Sequence, residues 1–242
     1  MNEEYLEEIK ENFICIKINN EEYLYIFGPV RFPMKITIEE EKIVEFDWYV
    51  WKGGSKPLIM EEFFEIYKED NGVNCDSVLV YGDINKENFL VRIHSGCITG
   101  DVFHSVKCDC GFQLNESIRQ IVKNEAGMIV YVSSHEGRGI GLFAKAICSK
   151  LQENGLNTYE ANNCLGFDDD QRNFDEVAAI VKYLRHINSI ILLSNNSLKS
   201  NWMRDRGIVI KEVRPLSVKP NNENLPYLRA KKLRGENIYG IL

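Results

Sequence analysis

Residues 128–155 read MIVYVSSHEGRGIGLFAKAICSKLQENG, and this stretch decides the fold. Residues 128–132 form a short apolar run rich in β-branched side chains, the pattern of a strand buried on both faces. Residues 140–154 carry apolar side chains at helical spacing, and Gly155 is suited to close that helix. Between them lies a glycine-rich turn, residues 133–141. A strand, a tight turn and a helix start can hold a phosphate or a base on backbone N–H groups. An ordinary tight turn is the other reading. The spacing is not a dinucleotide fingerprint, because Leu142 stands where the last glycine belongs, and it is not a Walker loop. Glu136 and Arg138 favour a ligand. A carboxylate accepts from purine N–H groups, and an arginine forks onto phosphate.

The same rhythm continues outward. Residues 77–81 and 89–94 read as strands, and residues 112–126 as a helix closed by Gly127. Asn173 and Glu176 have capping-box spacing and would open a helix over 174–186. A strand at 189–193, a helix at 197–206 stopped by Gly207 and a strand at 208–213 follow. This alternation predicts an α/β fold, a mixed sheet with flanking helices. The first residues differ. Residues 1–12 read as a short acidic helix or a frayed end, and residues 13–50 alternate as strands, with turns at Asn19-Asn20 and Gly28-Pro29. Residues 53–57 break this run, and residues 58–70 read as an amphipathic helix. A turn at Asn71-Gly72 sets the boundary. The expected organisation is a β-rich N-terminal extension (1–72), a catalytic domain (73–225) and a polar tail (226–242), loose after Pro220.

Composition narrows the function. The chain has 242 residues and a net charge of −7. That charge disfavours nucleic acid and anionic membranes as partners, but leaves room for a local basic pocket. No apolar stretch approaches the ~18–20 residues that span a bilayer. The acidic start lacks the pattern of a signal peptide, so the cytoplasm is the expected compartment. Seven cysteines, an odd count, point there to metal binding or free thiols.

Three of those cysteines share one run, CITGDVFHSVKCDCG, as Cys97, Cys108 and Cys110. Three thiolates can hold Zn²⁺ and leave its fourth position open, which is the arrangement of a catalytic site. In a regular strand the sulfurs of 108 and 110 would sit about 6.6 Å apart. A turn would let both reach one ion at roughly 2.3 Å, and Gly111 would permit the bend. The alternative is three unrelated buried thiols. His94 and His104 are further possible ligands. A Cys97–His94 thiol-hydrolase pair has no evident third group to orient it. The His-x-Glu and Pro-Cys-x-x-Cys pattern of zinc deaminases is missing. Asp170 could orient Arg172 toward a phosphate, or residues 168–173 could be a solvated acidic loop. Lys199 is a third phosphate candidate, or a surface lysine.

In order, RIHSGCITGDVFHSVKCDCGFQL, HEGRGIGL, EANNCLGFDDDQRNF and LLSNNSLK resemble the GTP cyclohydrolase II family, which opens riboflavin synthesis. The resemblance covers residues 78–225. It implies Zn²⁺ on Cys97, Cys108 and Cys110, with water attacking C8 of the guanine ring. Ring opening, loss of formate and loss of pyrophosphate would follow, with Mg²⁺ serving the triphosphate. GTP would be bound through Arg92, Ile93, His94, Ser95, Gly96, Gln113, Glu136, Gly137, Arg138, Thr158, Ser194 and Lys199. Arg172 matches an arginine proposed as a nucleophile, and Asp170 its acidic partner. Because an arginine stays protonated, we read Arg172 as an electrostatic clamp on the departing pyrophosphate. A homodimer is also implied. The fused dihydroxybutanone-phosphate synthase domain of some members does not appear.

The sequence departs from the family pattern in four places. Ser149 replaces a tyrosine thought to assist ring chemistry. Ser133-Ser134-His135 replaces an aromatic–Arg–Gln stretch. Gly96 stands where Glu is common, and Ser194 where Thr is common. Two alternatives follow: a reaction that stops at the ring-opened formamide for a specialised pathway, or a nucleotide-binding regulator that has lost turnover.

Overall fold

The computed structural model describes residues 3–69, 75–186, 188–216 and 220–235. Eight strands form one mixed sheet: β1 (Phe13–Lys17), β2 (Tyr23–Thr37), β3 (Glu41–Gly54), β4 (Asp76–Gly82), β5 (Leu90–Ser95), β6 (Ala126–Val132), β7 (Ile190–Leu193) and β8 (Ile210–Arg214). Their order is β1-β2-β3-β4-β6-β5-β7-β8. From β1 to β6 the neighbours are antiparallel. From β6 through β5 and β7 to β8 they are parallel. The helices are α1 (Glu3–Glu11), α2 (Met60–Glu69), α3 (Ile98–Asp101), α4 (Cys110–Lys123), α5 (Gly141–Glu153), α6 (Thr158–Cys164), α7 (Asp175–Arg185), α8 (Ser197–Asp205) and α9 (Leu225–Leu233). Among the described residues no helix is long and apolar enough to cross a membrane.

The continuous apolar run of β6 is explained by burial on both faces. Met128, Val130 and Val132 pack with Val177, Ile180, Val181 and Leu184 of α7 on one side. Ile129 packs with Leu90, Ile191, Leu193 and Ile121 of α4 on the other. The β-rich N-terminal strands join the same sheet, because β3 pairs with β4 over Asp47↔Val80 to Trp51↔Asp76. Trp51, 1% exposed, lies in the main core, and its Nε1 donates to Glu176 Oε2 at 3.1 Å.

Several local expectations need correction. The Gly28-Pro29 turn is a bulge inside β2, where the register slips between Phe27 and Val30. Gly28 is required there: its φ is +136°, and a Cβ would lie 2.6 Å from Trp48 O. Gly127 does not close α4. The chain turns at Glu125 (φ 61°), and Gly127 lies within β6, where a Cβ would meet Leu90 O at 2.6 Å. The Asn173–Glu176 capping box does not form. Asn173 Oδ1 accepts from Asp175 N at 2.9 Å, while Glu176 is drawn away to Trp51. The stretch after Pro220, expected to be loose, carries α9 with Leu228 fully buried. The boundary turn at Asn71-Gly72 lies outside the described residues.

Candidate active site

The carboxyl ends of β5, β6 and β7 open on one cavity of about 820 Å³. In α/β sheets this is where ligands bind. From β5 the chain passes through Ser95 and Gly96 to Cys97. From β6 it enters a 3₁₀ turn, Ser133–Arg138. From β7 it reaches Ser194, Asn195 and Asn196 before α8.

Cys97, Cys108 and Cys110 meet at the cavity wall, with their sulfurs within 4.8 Å of one another. Cys97 Sγ and Cys108 Sγ are 3.8 Å apart. A tetrahedral ion with ~2.3 Å bonds to sulfur needs an edge of about 3.8 Å. The donor set therefore fits Zn²⁺, and all three cysteines line the cavity. Cys110 is the first residue of α4. Hydrogen bonds from Cys108 and Cys110 hold the Cys97 thiol far below its ordinary pKa, with smaller help from Thr99 and Lys145. Hydrogen bonds to Cys108 and Cys97, then burial, push Cys110 well up. Gly111 has a different part from the expected bend. It lies inside α4 against Gly100, where a Cβ would come 2.2 Å from Gly100 O. The two ligand-bearing segments can approach only because that space is empty. Neither histidine joins the trio. His94 is buried with Nε2 facing Asp101 at 3.0 Å, and His104 is exposed.

The cavity is basic although the chain is acidic: Arg92, Arg138, Arg172, Lys145, Lys199 and Lys231 line it. Arg92 donates to Gln113 Oε1 at 2.6 Å and to Leu193 O at 3.0 Å, which ties β5 to α4 and to the end of β7. Arg138 sits at φ 63°, held by Thr158 Oγ1 at 3.1 Å and by the Tyr159 ring at 4.3 Å. Thr158 arrives on α6, whose capping box uses Asn157 and Glu160. Lys199 is buried and donates to Ile93 O at 2.9 Å. The Ile93 side chain itself is in the core. Ser194 accepts from Asn196 N at 3.1 Å.

Arg172 reaches the cavity from the other side. Asp170 stands behind it, with Nε to Oδ1 at 2.8 Å and Nη2 to Oδ2 at 2.5 Å, while Nη1 donates to Ser95 Oγ at 3.0 Å. Burial would raise the Asp170 pKa, but the paired guanidinium outweighs it and lowers it. Gly96 is cramped against the 133–135 stretch, where a Cβ would lie 3.1 Å from Ser133 Cα. His135 is buried beside Phe174, and its Nε2 faces Asn173 O at 2.8 Å. Ser149 lines the cavity, but its hydroxyl donates back to Lys145 O at 2.8 Å.

Sequence reasoning missed Lys145, Asn162, Tyr227 and Lys231, which also line the cavity. Lys145, Cys148, Ser149 and Gln152 recur at helical spacing behind Arg138 and share one face of α5. That signal was legible. Nothing in the tail announced Tyr227 or Lys231.

A basic cavity at the carboxyl ends of parallel strands, with three clustered thiols on its wall, defines the class: an α/β enzyme acting on an anionic ligand. The family model described as GTP cyclohydrolase II matches residues 60–215. The chain belongs to the GTP cyclohydrolase II family. It is 46% identical over 155 residues to a GTP cyclohydrolase-2 of Archaeoglobus fulgidus, covering 64% of this chain and 40% of that protein. It is 43% identical over 166 residues to the GTP cyclohydrolase-2 of Psychromonas ingrahamii, covering 66% of this chain and 82% of that one. It is 44% identical over 148 residues to the riboflavin biosynthesis protein RibBA of Endomicrobium trichonymphae, covering 61% of this chain and 36% of that protein.

Proposed function

We propose that this chain opens the imidazole ring of GTP by hydrolysis at C8, with loss of pyrophosphate and formate. The product is a diaminopyrimidinone ribosylamino 5′-phosphate, and the reaction serves riboflavin synthesis. The observation that carries this reading is the cluster of three thiols, within 4.8 Å of one another, on the wall of a basic cavity. When bound, Zn²⁺ supplies water that attacks near neutral pH. The remaining steps belong to the chain. Arg138, Lys199 and Arg172 would receive the triphosphate, and Mg²⁺ would offset part of its charge. Arg172 clamps the pyrophosphate as negative charge builds on the bridging oxygen, and Asp170 aims it. A nucleophilic Arg172 is disfavoured, because a guanidinium paired with Asp170 stays protonated and offers no electron pair for attack. One water opens the ring, another frees formate, and a third cleaves the phosphate linkage. A time course with GTP, Zn²⁺ and Mg²⁺ that separately measures ring opening, pyrophosphate and formate tests this reading. Absence of ring opening overturns it.

Ser149 favours a second reading for the last ring step alone. Its hydroxyl is turned back to Lys145 O, so no phenol or free hydroxyl serves formyl removal there. In that reading the formamide is the product, and one formate per pyrophosphate would exclude it. The cytoplasm is part of the proposal, supported by seven free thiols. So is a homodimer, supported by exposed Phe103 and Phe143. Gel filtration tests the dimer.

A further inference from the structure

Glu136 was read above as a carboxylate for the purine. The structure uses it otherwise. Its Oε2 accepts from Ile98 N at 2.7 Å, directly after Cys97. Its Oε1 accepts from Lys145 Nζ at 2.6 Å and from Gly137 N at 3.1 Å. Lys145 Nζ then donates to Thr99 Oγ1 at 2.9 Å and to Cys97 Sγ at 3.2 Å. Both side chains are largely buried, at 20% and 13% exposure. The contacts close a ring from α5 through the 3₁₀ turn to the loop that carries Cys97.

We propose that Lys145 and Glu136 form a clamp on the metal-binding loop, with Lys145 as a positioning residue for the Cys97 sulfur and Glu136 as the group that aims it. The inference rests on the proposed zinc site. Three thiolates outweigh a divalent ion by one charge, and an anionic substrate must approach them. A single ammonium touching one sulfur offsets that excess where it matters and shortens the range of orientations open to Cys97. Such outer contacts set ligand geometry and metal affinity. Glu136 also fixes the backbone at Ile98, so the loop is held at both its side chain and its main chain. The purine must then be read by other groups in the cavity.

The test compares zinc affinity without GTP, by competition with a chromogenic chelator, in wild type, Lys145→Met, Lys145→Arg and Glu136→Gln. Lys145→Met and Glu136→Gln should each weaken zinc binding by ~10–100-fold. Lys145→Arg should restore part of the loss. Cobalt-substituted protein should show altered thiolate charge-transfer bands in Lys145→Met, a readout that a merely structural lysine would leave unmoved. Should Lys145→Met fail to fold, Glu136→Gln reads the same clamp. If both variants keep wild-type zinc affinity and spectra while the KM for GTP rises, Glu136 reads the substrate and the clamp is wrong. If wild type itself binds no zinc, this inference falls with the proposed function. If wild type binds zinc and the variants bind it equally, only the clamp falls.

Discussion

Asp170 holds Arg172 through two parallel hydrogen bonds, at 2.8 and 2.5 Å, two residues away in sequence. The carboxylate fixes the guanidinium at the cavity wall, and Nη1 donates to Ser95 Oγ. Removing the guanidinium should cost pyrophosphate release more than ring opening. Arg172→Ala should slow release by ~10²–10³-fold, the range for losing one preorganised donor of a developing anion. Arg172→Lys should recover little, because an ammonium cannot fork onto Asp170. Single-turnover assays that follow pyrophosphate and ring opening separately check this. Equal slowing of both would contradict the assignment.

Trp51 and Glu176 give a second prediction, about how the N-terminal strands are fastened. Burial raises the Glu176 pKa, and the Trp51 N–H opposes that rise. Trp51→Phe keeps an aromatic ring but removes the donor together with part of the indole's buried volume. It should destabilise the fold by roughly 1–3 kcal/mol, the cost of leaving a buried polar group unsatisfied. Urea unfolding measures it. An unchanged midpoint would show that the contact contributes nothing.

The sheet was legible because residues 77–81, 89–94 and 128–132 are short apolar runs rich in β-branched side chains, bounded by turn residues. The helix ends were less so. Gly127 looked like a helix stop, yet it is spent on a close approach to β5, and Glu125 takes the left-handed turn instead. Gly111 looked like a bend and is a contact surface for Gly100. One glycine can serve either purpose, and spacing does not distinguish them. The thiol trio was legible from its spacing and its resemblance. The Glu136–Lys145 contact was hidden because it depends on the 3₁₀ turn folding back over α5. The cavity wall from α9 was hidden because a polar tail has no pattern that marks what it covers.

A pH dependence follows from His135. Burial, aided by Arg172 and Lys199, lowers its pKa to about 4, while its bond to Asn173 O and the charge on Asp170 oppose that. An ordinary histidine titrates near about 6.5. Between these values the unfolded chain takes up a proton that the folded chain refuses. Stability is therefore lost as pH falls from about 6.5 to about 4, and the loss levels off below. The difference is worth at most about 3 kcal/mol. His135→Gln should lose less stability than wild type between pH ~7 and ~4.5 in paired urea titrations. Equal losses would rule His135 out as the cause.

Ser149 yields a prediction about products. With its hydroxyl bound to Lys145 O, it offers no acid at the cavity wall. Ser149→Tyr, which adds a phenol to that wall, should raise the formate released per pyrophosphate if formyl removal lags in wild type. A wild-type ratio already at one would show that another group performs the step.

The account rests on a metal held by Cys97, Cys108 and Cys110. Elemental analysis of protein purified without chelator, in wild type and Cys108→Ser, tests it most directly. The account predicts one zinc per wild-type chain, and loss of both the zinc and GTP ring opening in the variant. A wild-type protein with no stoichiometric zinc, and no activity restored by adding it, would contradict the account.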